Sequence, residues 1–266
     1  MEQQALELLP EVVKLARAAG RRILEIYAAG FDVSQKDDKS PLTAADLASH
    51  KLIMAGLEQL APQWPRLSEE GSEIPFAERR QWRGHWLIDP LDGTREFVQR
   101  TGEFTVNIAL IHEQRPVLGV VHVPAQDLSY FAAQGAGAWK QQGEGPFDAI
   151  YTRRAPPTLK VLASRSHRSE RDARLLAKLP EHEEINAGSA LKFGLVAEGQ
   201  ADFYPRLGPT SEWDTAAGQC VVEQAGGLVV GSDFQPLRYN GKESLLNPDF
   251  YVFGDPLYHW KSLLTT

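Results

Sequence analysis

The sequence predicts a chain with an α+β half followed by an α/β half. Residues 1–150 begin with two segments of helical periodicity and continue with strand-like segments joined by short turns. Residues 151–266 alternate between strand-like and helix-like segments. Helices followed by runs of strands are typical of α+β folds, whereas alternation is typical of α/β folds. The Gly- and Pro-rich polar stretch 141–158 separates the two patterns and is the predicted boundary between the halves.

The composition is that of a globular protein with a sizeable core. Of the 266 residues, 42% are hydrophobic and 24% are charged, which argues against disorder. The net charge of -7 gives no reason to expect a nucleic-acid-binding surface. An acidic protein that handles phosphates must supply positive charge locally, and a bound metal would do so. The single cysteine, Cys220, excludes an internal disulfide and is expected to be a small buried hydrophobe.

The N-terminal region and the hydropathy of the chain indicate where the protein is expected to reside. Glu2 and Glu7 interrupt the first apolar stretch, so no signal peptide is expected. No apolar run approaches the length of a transmembrane helix, so no integral membrane segment is expected. We therefore expect a cytoplasmic protein.

Two helices are predicted in the first 60 residues. Apolar side chains at helical spacing over residues 2–29 predict a long amphipathic helix, with Gly30 as its C-terminal cap. The polar segment 31–42 predicts a loop or short hairpin. Thr43 and Asp46 have the spacing of a capping box and open a second helix that runs to about residue 60. Asp46 can act as a capping acid or as a proton acceptor held at the helix start, and the two roles are compatible.

Strand and helix patterns continue through the rest of the chain. Segments 104–111 and 117–123 predict one hairpin, and 128–133 and 138–140 predict another. The Gly135-Ala136-Gly137 turn lacks the complete G-x-G-x-x-G pattern and a following helix, so we interpret it as a turn and not as a phosphate loop. His112 and His122 fit strand positions better than metal ligands. The second half is predicted to contain strands at 160–163, 201–204 and 228–230, and helices at 168–178, 188–196 and 214–225.

The most informative stretch is 86–94. Its apolar start, 86–88, predicts the end of a buried strand, which Pro90 would stop after Asp89. Asp92 follows three residues after Asp89, so a tight turn could direct both carboxylates to one point. The Leu91 carbonyl, and the N–H groups of Gly93 and Thr94, complete a set of oxygen and N–H groups that suits a divalent cation holding a phosphate. The alternative for this stretch alone is an ordinary surface turn.

Acidic residues in two other segments extend this set. Glu69 and Glu70 follow a short extended stretch, and paired glutamates most often face solvent. Asp214 stands at the predicted start of a helix, where it could act as an N-cap. Each of these residues therefore has a purely structural explanation, and only their combination with 86–94 indicates a site.

The order and spacing of these segments resemble the inositol monophosphatase family of magnesium-dependent, lithium-inhibited phosphomonoesterases. Both signature stretches of that family are intact here, at 86–94 and 213–218, and the resemblance covers nearly the whole chain. It implies a layered αβαβα fold. It also implies metal ligands that are all oxygen donors: Glu69, Asp89, the Leu91 carbonyl, Asp92 and Asp214.

The resemblance further implies how these residues work together. Two or three Mg²⁺ ions would be bound, the first by Glu69, Asp89 and Leu91 and the second by the three aspartates. Asp46 and Thr94 would orient and deprotonate the attacking water. The substrate contacts it implies are Glu69, Leu91, Asp92, Gly93, Thr94 and Asp214, with the Gly93 and Thr94 N–H groups on the phosphate. Lithium is expected to inhibit.

Within the family, the chain more closely resembles the 3'(2'),5'-bisphosphate nucleotidase branch, of the CysQ type. The segments that carry this likeness are 164–167, 188–193, 204–206 and 246–248. By resemblance, Ser189, Lys192 and Arg206 would contact the nucleotide and its second phosphate. Many relatives have a second serine where this chain has Ala190. The alternatives are a solvated helix residue for Lys192 and a surface ion pair for Arg206.

The function implied is hydrolysis of adenosine 3',5'-bisphosphate to AMP and phosphate, a step linked to sulfate assimilation. A second candidate substrate is 3'-phosphoadenosine 5'-phosphosulfate. The alternatives are a phosphatase acting on inositol or fructose phosphates, and a non-catalytic nucleotide- or metal-binding protein. The expected partner is thus a small nucleotide bisphosphate. The sequence leaves open a monomer or a homodimer, and also a peripheral association with the cytoplasmic side of the inner membrane.

Overall fold

The computed structural model of the chain describes residues 1–29, 44–163 and 170–265. The predictions for Gly30, the loop 31–42, Thr43 and the segment 164–167 lie outside the described residues. The helices are α1 (Glu2–Ala29), α2 (Ala44–Leu60), α3 (Phe76–Arg79), α4 (Thr94–Val98), α5 (Glu170–Leu176), α6 (Leu191–Ala197), α7 (Glu212–Gln224) and α8 (Trp260–Thr265).

The larger sheet has seven strands, all from the first half of the chain, and their spatial order follows the sequence. The strands are β1 (Arg66–Ser68), β2 (Gly84–Asp92), β3 (Thr105–His112), β4 (Arg115–Val123), β5 (Leu128–Ala133), β6 (Gly137–Gln142) and β7 (Phe147–Ala149). Strand β1 pairs with β2 in parallel, and each later neighbour is antiparallel. Both predicted hairpins, β3–β4 and β5–β6, are confirmed.

The smaller sheet has five strands in the order β11-β12-β10-β8-β9, which are β8 (Leu159–Ala163), β9 (His182–Asn186), β10 (Phe203–Arg206), β11 (Leu228–Gly231) and β12 (Phe250–Phe253). Strands β8, β9 and β10 are parallel, as expected for strands joined by helices, and β12 is antiparallel to both of its neighbours. The second half therefore has the predicted α/β character.

Helices and sheets form five alternating layers. Helices α1 and α2 pack on one face of the larger sheet around a first apolar core, and α6 and α7 lie between the two sheets. The outer face of the smaller sheet is covered by apolar residues of α5 and α8. The layered fold predicted from the resemblance is thus confirmed.

Helix α7 lies unusually close to the larger sheet at Gly119 of β4. A Cβ atom at this position would be 2.4 Å from the carbonyl oxygen of Ala217 and 2.8 Å from the Cβ of Cys220. A residue without a side chain is therefore required for this approach. Cys220 is buried at the contact, as expected, and burial raises the pKa of its thiol.

Several predicted boundaries were wrong. Strand β2 continues through Pro90 to Asp92 instead of ending before it. Residues 188–190 precede α6 instead of opening it, and α7 begins at Glu212, two residues before Asp214. Sequence reasoning also missed β7, β9, β12 and the short helices α3, α4 and α8. Strand β7 lies inside the stretch 141–158, which was predicted to separate the two halves. The division of the chain into two domains at this stretch stays a prediction.

Candidate active site

The end of β2 brings Asp89 and Asp92 to the same region through a bulge. Asp89 pairs with Asn107 of β3, but Asp92 pairs with Thr105, so β2 has one residue more than β3 over this interval. Pro90 lies in the bulge, where a missing backbone N–H is tolerated. The tight turn expected from the sequence is therefore a bulged strand end.

Gly93 turns the chain from β2 into α4. It has a φ of 88°, and a Cβ atom here would lie 2.0 Å from the Ser189 hydroxyl oxygen. Only glycine satisfies both the positive φ and the close contact. Thr94 is the first residue of α4, so its N–H is one of those that a helix start leaves without an intrahelical acceptor.

Helix α2 is fixed against the same strand end. The Ser49 hydroxyl donates to the Pro90 carbonyl over 2.8 Å, and His50 Nδ1 lies 2.8 Å from the Ser68 hydroxyl oxygen. The first contact ties α2 to the bulge, and the second ties it to the residue before Glu69. Asp46, one helical turn earlier, is buried at the start of α2. These supporting residues carry no signal in a single sequence.

Asp214, a predicted metal ligand, also stabilises the start of α7. Ser211 is the N-cap of α7, and Asp214 stands three positions later, where its Oδ2 accepts the Ser211 N–H over 2.9 Å. This reciprocal pair is a capping box. Asp214 is therefore not the N-cap, which was its alternative structural role, but stands three positions after it. Asn247 supports the same turn, because its side-chain amide donates to the Ser211 carbonyl over 2.7 Å.

The predicted carboxylates face one another closely enough to perturb their ionisation. Burial raises the pKa of Asp89 well above its usual value, and the charges of Glu69, Asp92, Asp214 and Asp46 raise it further. Burial, followed by the charges of Glu70 and Glu69, raises the pKa of Asp46 to about 8. The structure thus brings together every acidic residue that the sequence singled out.

This cluster fits a divalent cation by its chemistry. Two unit charges about 4 Å apart repel by roughly 4 kcal/mol at an effective dielectric constant near 20. Buried carboxylates that raise one another's pKa therefore need either protons or cations, and oxygen donors suit hard cations such as Mg²⁺. The predicted ligands Glu69, Asp89, Asp92 and Asp214 supply such donors.

Three of the clustered carboxylates also accept hydrogen bonds from the backbone. Among the described residues, no three His, Cys, Asp or Glu side chains are grouped so that they could hold a metal ion. The three carboxylates accept backbone N–H groups: Asp89 from Leu91 over 3.0 Å, Asp92 from Ala190 over 2.7 Å, and Asp214 from Ser211 over 2.9 Å. Since each carboxylate has two oxygens, these bonds leave one oxygen of each available.

A pocket of about 150 Å³ opens beside this cluster. Its lining includes all three residues predicted to contact the nucleotide, together with two of the predicted metal ligands: Asp92, Ser189, Lys192, Arg206 and Asp214. Arg95, Phe193, Tyr204 and Thr210 also line it, and sequence reasoning did not assign roles to them. The pocket therefore combines carboxylates, cations and aromatic rings in one lining.

Lys192 is buried and is not the solvated helix residue that was the alternative. Its ammonium donates to the carbonyls of Ser189 and Ala187 over 2.9 and 3.3 Å and lies 5.1 Å from the centre of the Tyr204 ring. Burial lowers the pKa of Lys192 to about 8, although the charge of Asp92 opposes this shift. Lys192 is thus a positive charge fixed beside Asp92.

Ser189 and Arg206 differ in how they are engaged. The Ser189 hydroxyl donates to the Asp92 carbonyl over 2.9 Å, and Ser189 itself has a φ of 49°. Arg206 donates from Nη2 to the Pro209 carbonyl over 3.2 Å, and its Nε is buried without a hydrogen-bond partner among the described residues. A buried N–H without an acceptor is unfavourable, so an anion that accepts from this nitrogen would be favoured.

Comparison with known proteins gives the family. The model of the inositol monophosphatase family matches residues 5–256. The chain belongs to the inositol monophosphatase family. The curated 3'(2'),5'-bisphosphate nucleotidase CysQ of Shigella flexneri is 50% identical over 250 residues, which are 92% of this chain and 99% of that protein. The corresponding protein of Haemophilus influenzae is 37% identical over 96% of both chains.

Solved structures of the inositol monophosphatase family agree with the fold described above. The crystal structure of CysQ from Bacteroides thetaiotaomicron superimposes with a TM-score of 0.81 at 41% identity and covers 95% of this chain and 96% of that one. An inositol monophosphatase from Zymomonas mobilis has a TM-score of 0.78 at 24% identity, which shows the fold alone. The resemblance recognised in the sequence is therefore confirmed, and membership of the family implies dependence on a divalent metal ion.

None of the helices in the described ranges combines the length and apolar character that crossing a bilayer requires.

Proposed function

We propose that the chain is a magnesium-dependent 3'(2'),5'-bisphosphate nucleotidase that hydrolyses the 3'-phosphate of adenosine 3',5'-bisphosphate to AMP and phosphate. The names of the CysQ relatives from Shigella flexneri and Salmonella typhimurium support this activity. The structural observation that supports it most is the single pocket lined by Asp92, Asp214, Lys192 and Arg206. Such a pocket offers carboxylates for metal together with cations for a second phosphate.

The acidic cluster would hold two or three Mg²⁺ ions through the side chains of Glu69, Asp89, Asp92 and Asp214 and the carbonyl of Leu91. Bound there, the metal would lower the pKa of a coordinated water and stabilise the charge on the leaving oxygen. Lithium is expected to inhibit by competing for these oxygen donors.

Asp46 accepts the proton of the attacking water in this proposal, and the Thr94 hydroxyl orients that water. A general base works best when its pKa lies near the operating pH. Burial and the neighbouring glutamates raise the pKa of Asp46 to about 8 in the metal-free cluster, and a cation bound by Glu69 would lower it from there. The helix start that carries Asp46 is linked to the bulge through Ser49, whose hydroxyl donates to the Pro90 carbonyl.

The substrate is held at both of its phosphates. The N–H groups of Gly93 and Thr94 seat the phosphate that is transferred, as backbone N–H groups at a turn into a helix do for anions. Arg206 binds the second phosphate with its unsatisfied Nε, and Lys192 adds positive charge. Ser189 shapes the pocket, because its hydroxyl already donates to the Asp92 carbonyl.

The experiment is phosphate release from adenosine 3',5'-bisphosphate, inositol 1-phosphate and fructose 1,6-bisphosphate in parallel, with Mg²⁺ and with or without Li⁺. We expect a strong preference for the nucleotide and inhibition by lithium. Preference for inositol or fructose phosphate would retain the metal site but overturn the roles of Ser189, Lys192 and Arg206. Nucleotide binding without phosphate release would instead favour a non-catalytic binding protein.

A variant of the second-phosphate contact makes this experiment more specific. Arg206→Gln is expected to raise KM for adenosine 3',5'-bisphosphate by roughly tenfold or more, since a charge-assisted hydrogen bond contributes about 1.5–3 kcal/mol. Its rate on inositol 1-phosphate, which has no second phosphate, should change far less. The exposed Arg174→Gln provides a matched control.

The cellular compartment, the second substrate and the oligomeric state of the enzyme can be tested in the same way. We place the enzyme in the cytoplasm, where it would clear a by-product of sulfate assimilation, and we include 3'-phosphoadenosine 5'-phosphosulfate as a second substrate to be assayed. Gel filtration distinguishes the monomer from the homodimer. Cosedimentation with anionic vesicles tests a peripheral association with the inner membrane.

A further inference from the structure

A second concave site lies away from the pocket described above. It is a groove of about 500 Å³ between α1 and strands β5 to β7, and its lining shares no residue with the substrate pocket. The groove lies on the α1 side of the larger sheet, whereas α6 and α7, which frame the substrate pocket, pack on the other side. Nothing in the proposed reaction uses it.

One wall of this α1 groove is aromatic. The rings of Phe131 and Trp139 are stacked, with centroids 6.0 Å apart and planes 26° apart. Phe147 meets both rings edge-on, at 6.0 and 6.3 Å, and its side chain remains 60% exposed. On the α1 side, Leu6, Leu9 and Val13 complete the apolar lining. An exposed aromatic group at the edge of an apolar groove is unfavourable in water, so a ligand that covers it would gain binding energy.

The lining of the groove carries more positive than negative charge. Lys14, Arg17 and Arg21 line it, together with one carboxylate, that of Glu144. Lys14 pairs with Glu11 over 2.7 Å and Arg17 pairs with Asp127, so Arg21 is the lining cation for which no ion pair is described. Arg17 and Arg21 also contribute, after burial, to lowering the pKa of His122, so both guanidinium groups lie near that ring at the same end of the groove. The lining therefore has an apolar part and a positively charged part.

Arg17 is the best-fixed of these cations. Its side chain is only 9% exposed, and its Nη2 lies 3.0 Å from Asp127 Oδ1. Its other terminal nitrogen, Nη1, is buried and has no hydrogen-bond partner among the described residues. Buried donors are nearly always satisfied in folded proteins, so an anion that accepts a hydrogen bond from Arg17 would be favoured here.

We propose that the α1 groove binds a small amphipathic anion from solution: a molecule with an alkyl or aromatic body and a carboxylate or sulfonate head. The body would lie along Phe131, Trp139 and Phe147, and the head would lie beside Arg17 and Arg21. The volume is within the range of small-molecule sites, which are mostly apolar with a few convergent polar groups. The groove is a concave cleft between a helix and a sheet. Such a shape fits a single small molecule better than it fits a flat membrane surface.

The proposal is tested by calorimetric titration of the full chain with decanoate, decan-1-ol and decyltrimethylammonium, each below its micellar concentration. We expect saturable binding of decanoate, weaker binding of the alcohol and no binding of the cation. Octanoate should bind roughly tenfold more weakly than decanoate, because it buries two methylene groups fewer. Equal binding of the acid and the alcohol would overturn the role of the cations.

Two variants test the two ends of the groove separately. Phe147→Ser and Arg21→Gln should each weaken decanoate binding at least fivefold, and thermal melting should show that both remain folded. The matched controls are Leu257→Ser, whose side chain is 87% exposed outside the groove, and Arg22→Gln, whose side chain pairs with Glu25. Unchanged binding in both groove variants would overturn the proposal.

The remaining outcomes also decide the question. Binding to anionic phospholipid vesicles without binding of free decanoate would replace the proposed ligand by a membrane surface. Dimerisation that increases with protein concentration and is abolished by Phe147→Ser would mean that a second copy covers the groove. Either result would overturn the inference, and neither depends on whether the nucleotidase activity is found.

Discussion

Asp92 is held from three directions by its neighbours. Its Oδ2 accepts the Ala190 N–H over 2.7 Å and lies 3.4 Å from the Thr105 hydroxyl, and its backbone carbonyl accepts the Ser189 hydroxyl over 2.9 Å. Burial raises its pKa, and the charge of Lys192 opposes that shift. The side chain is therefore oriented before any ion is bound, which is what a preorganised ligand requires.

Replacing this carboxylate tests the two-metal assignment. We expect Asp92→Asn to reduce magnesium-dependent phosphate release by roughly a thousandfold or more, since it removes a metal ligand and the charge that balances the ion. The fold should persist because the amide keeps a similar shape. Circular dichroism and thermal melting check the fold, and Asp148→Asn, on the exposed edge strand β7, is the matched control. Near-normal turnover in a folded Asp92→Asn protein would remove Asp92 from the metal site.

His122 links a single residue to the stability of the whole chain. Its Nδ1 lies 2.9 Å from the Ser129 hydroxyl oxygen, and burial, followed by the charges of Arg17 and Arg21, lowers its pKa to about 3. In the unfolded chain its pKa is about 6.5. Above pH 6.5 both states are neutral and the stability is fully present. Between pH 6.5 and 3 only the unfolded state gains a proton, so the free energy of unfolding falls as the pH falls.

The predicted contribution of His122 is a slope of up to about 1.4 kcal/mol per pH unit in this window. Urea unfolding of the wild type and of His122→Asn at pH 7.5, 6 and 5 measures this contribution as the difference between the two slopes. The buried carboxylates with raised pKa, such as Asp46 and Asp214, contribute in the opposite direction and are present in both proteins. His85, whose pKa is lowered to about 4 mainly by burial, contributes in the same direction as His122 and remains in the variant. An identical pH dependence in the wild type and the His122→Asn variant would contradict the assignment.

At the scale of elements, α7 connects the site to the sheet. Its first turn carries Asp214, and its middle rests on β4 where Gly119 allows direct contact with the backbone at Ala217. The helix also contacts α6, which follows the loop carrying Ser189. The position of Asp214, a proposed metal ligand, therefore depends on a close approach formed one to two helical turns further along α7, at Ala217 and Cys220.

Gly119→Ala should disturb this packing. The added methyl group would meet backbone atoms of α7, which cannot move as a flexible side chain would, so we expect a loss of about 1–3 kcal/mol in the free energy of unfolding. Gly208→Ala is the control, because no atom lies within 4 Å of a Cβ at that position. Urea unfolding of both variants measures the difference. Equal stability of the two variants would show that α7 can shift without cost.

The elements also show what a single sequence reveals. Long segments such as helix α1, and apolar runs of seven or eight residues bounded by a turn such as β3 and β4, were predicted with nearly correct bounds. Strand β12 was missed because its four residues, Phe250–Phe253, are all buried and show no alternation. The site carboxylates were recognised through their motifs, but the residues that orient them, such as Ser49 and Asn247, were not. Their contacts join segments that are distant in sequence, and no local pattern records them.

At the scale of the whole molecule, the two sheets share the layer of α6 and α7. One apolar core includes Leu87 and Val121 of the larger sheet, Val221 of α7 and Val252 of the smaller sheet. The strands before residue 150 form the larger sheet and those after it form the smaller sheet. The apolar core between the two sheets includes residues from both halves of the chain. A sequence pattern reports the order of elements, whereas a shared core depends on where they meet in space.

A fragment of residues 1–150 tests whether the first half is an independent unit. Without α6 and α7, one face of the larger sheet would lose its apolar cover, so we expect poor solubility, strong binding of 8-anilinonaphthalene-1-sulfonate and no cooperative thermal transition. The full chain, measured alongside, should unfold in one transition. A fragment that unfolds cooperatively would instead show that 1–150 is a domain by itself.

The bulge in β2 decides whether Asp89 and Asp92 lie on the same face of the sheet or on opposite faces. In a regular strand, residues three apart point to opposite faces, so Asp89 and Asp92 would be separated by the sheet itself. Their partners Asn107 and Thr105 are two apart and share a face, and the one extra residue in β2 brings the two aspartates to that same face. The two aspartates are an odd number of residues apart, and only the bulge allows such a pair to reach one metal site. A chain with the same carboxylates spaced by three along an unbulged strand would keep the ligands and lose the site.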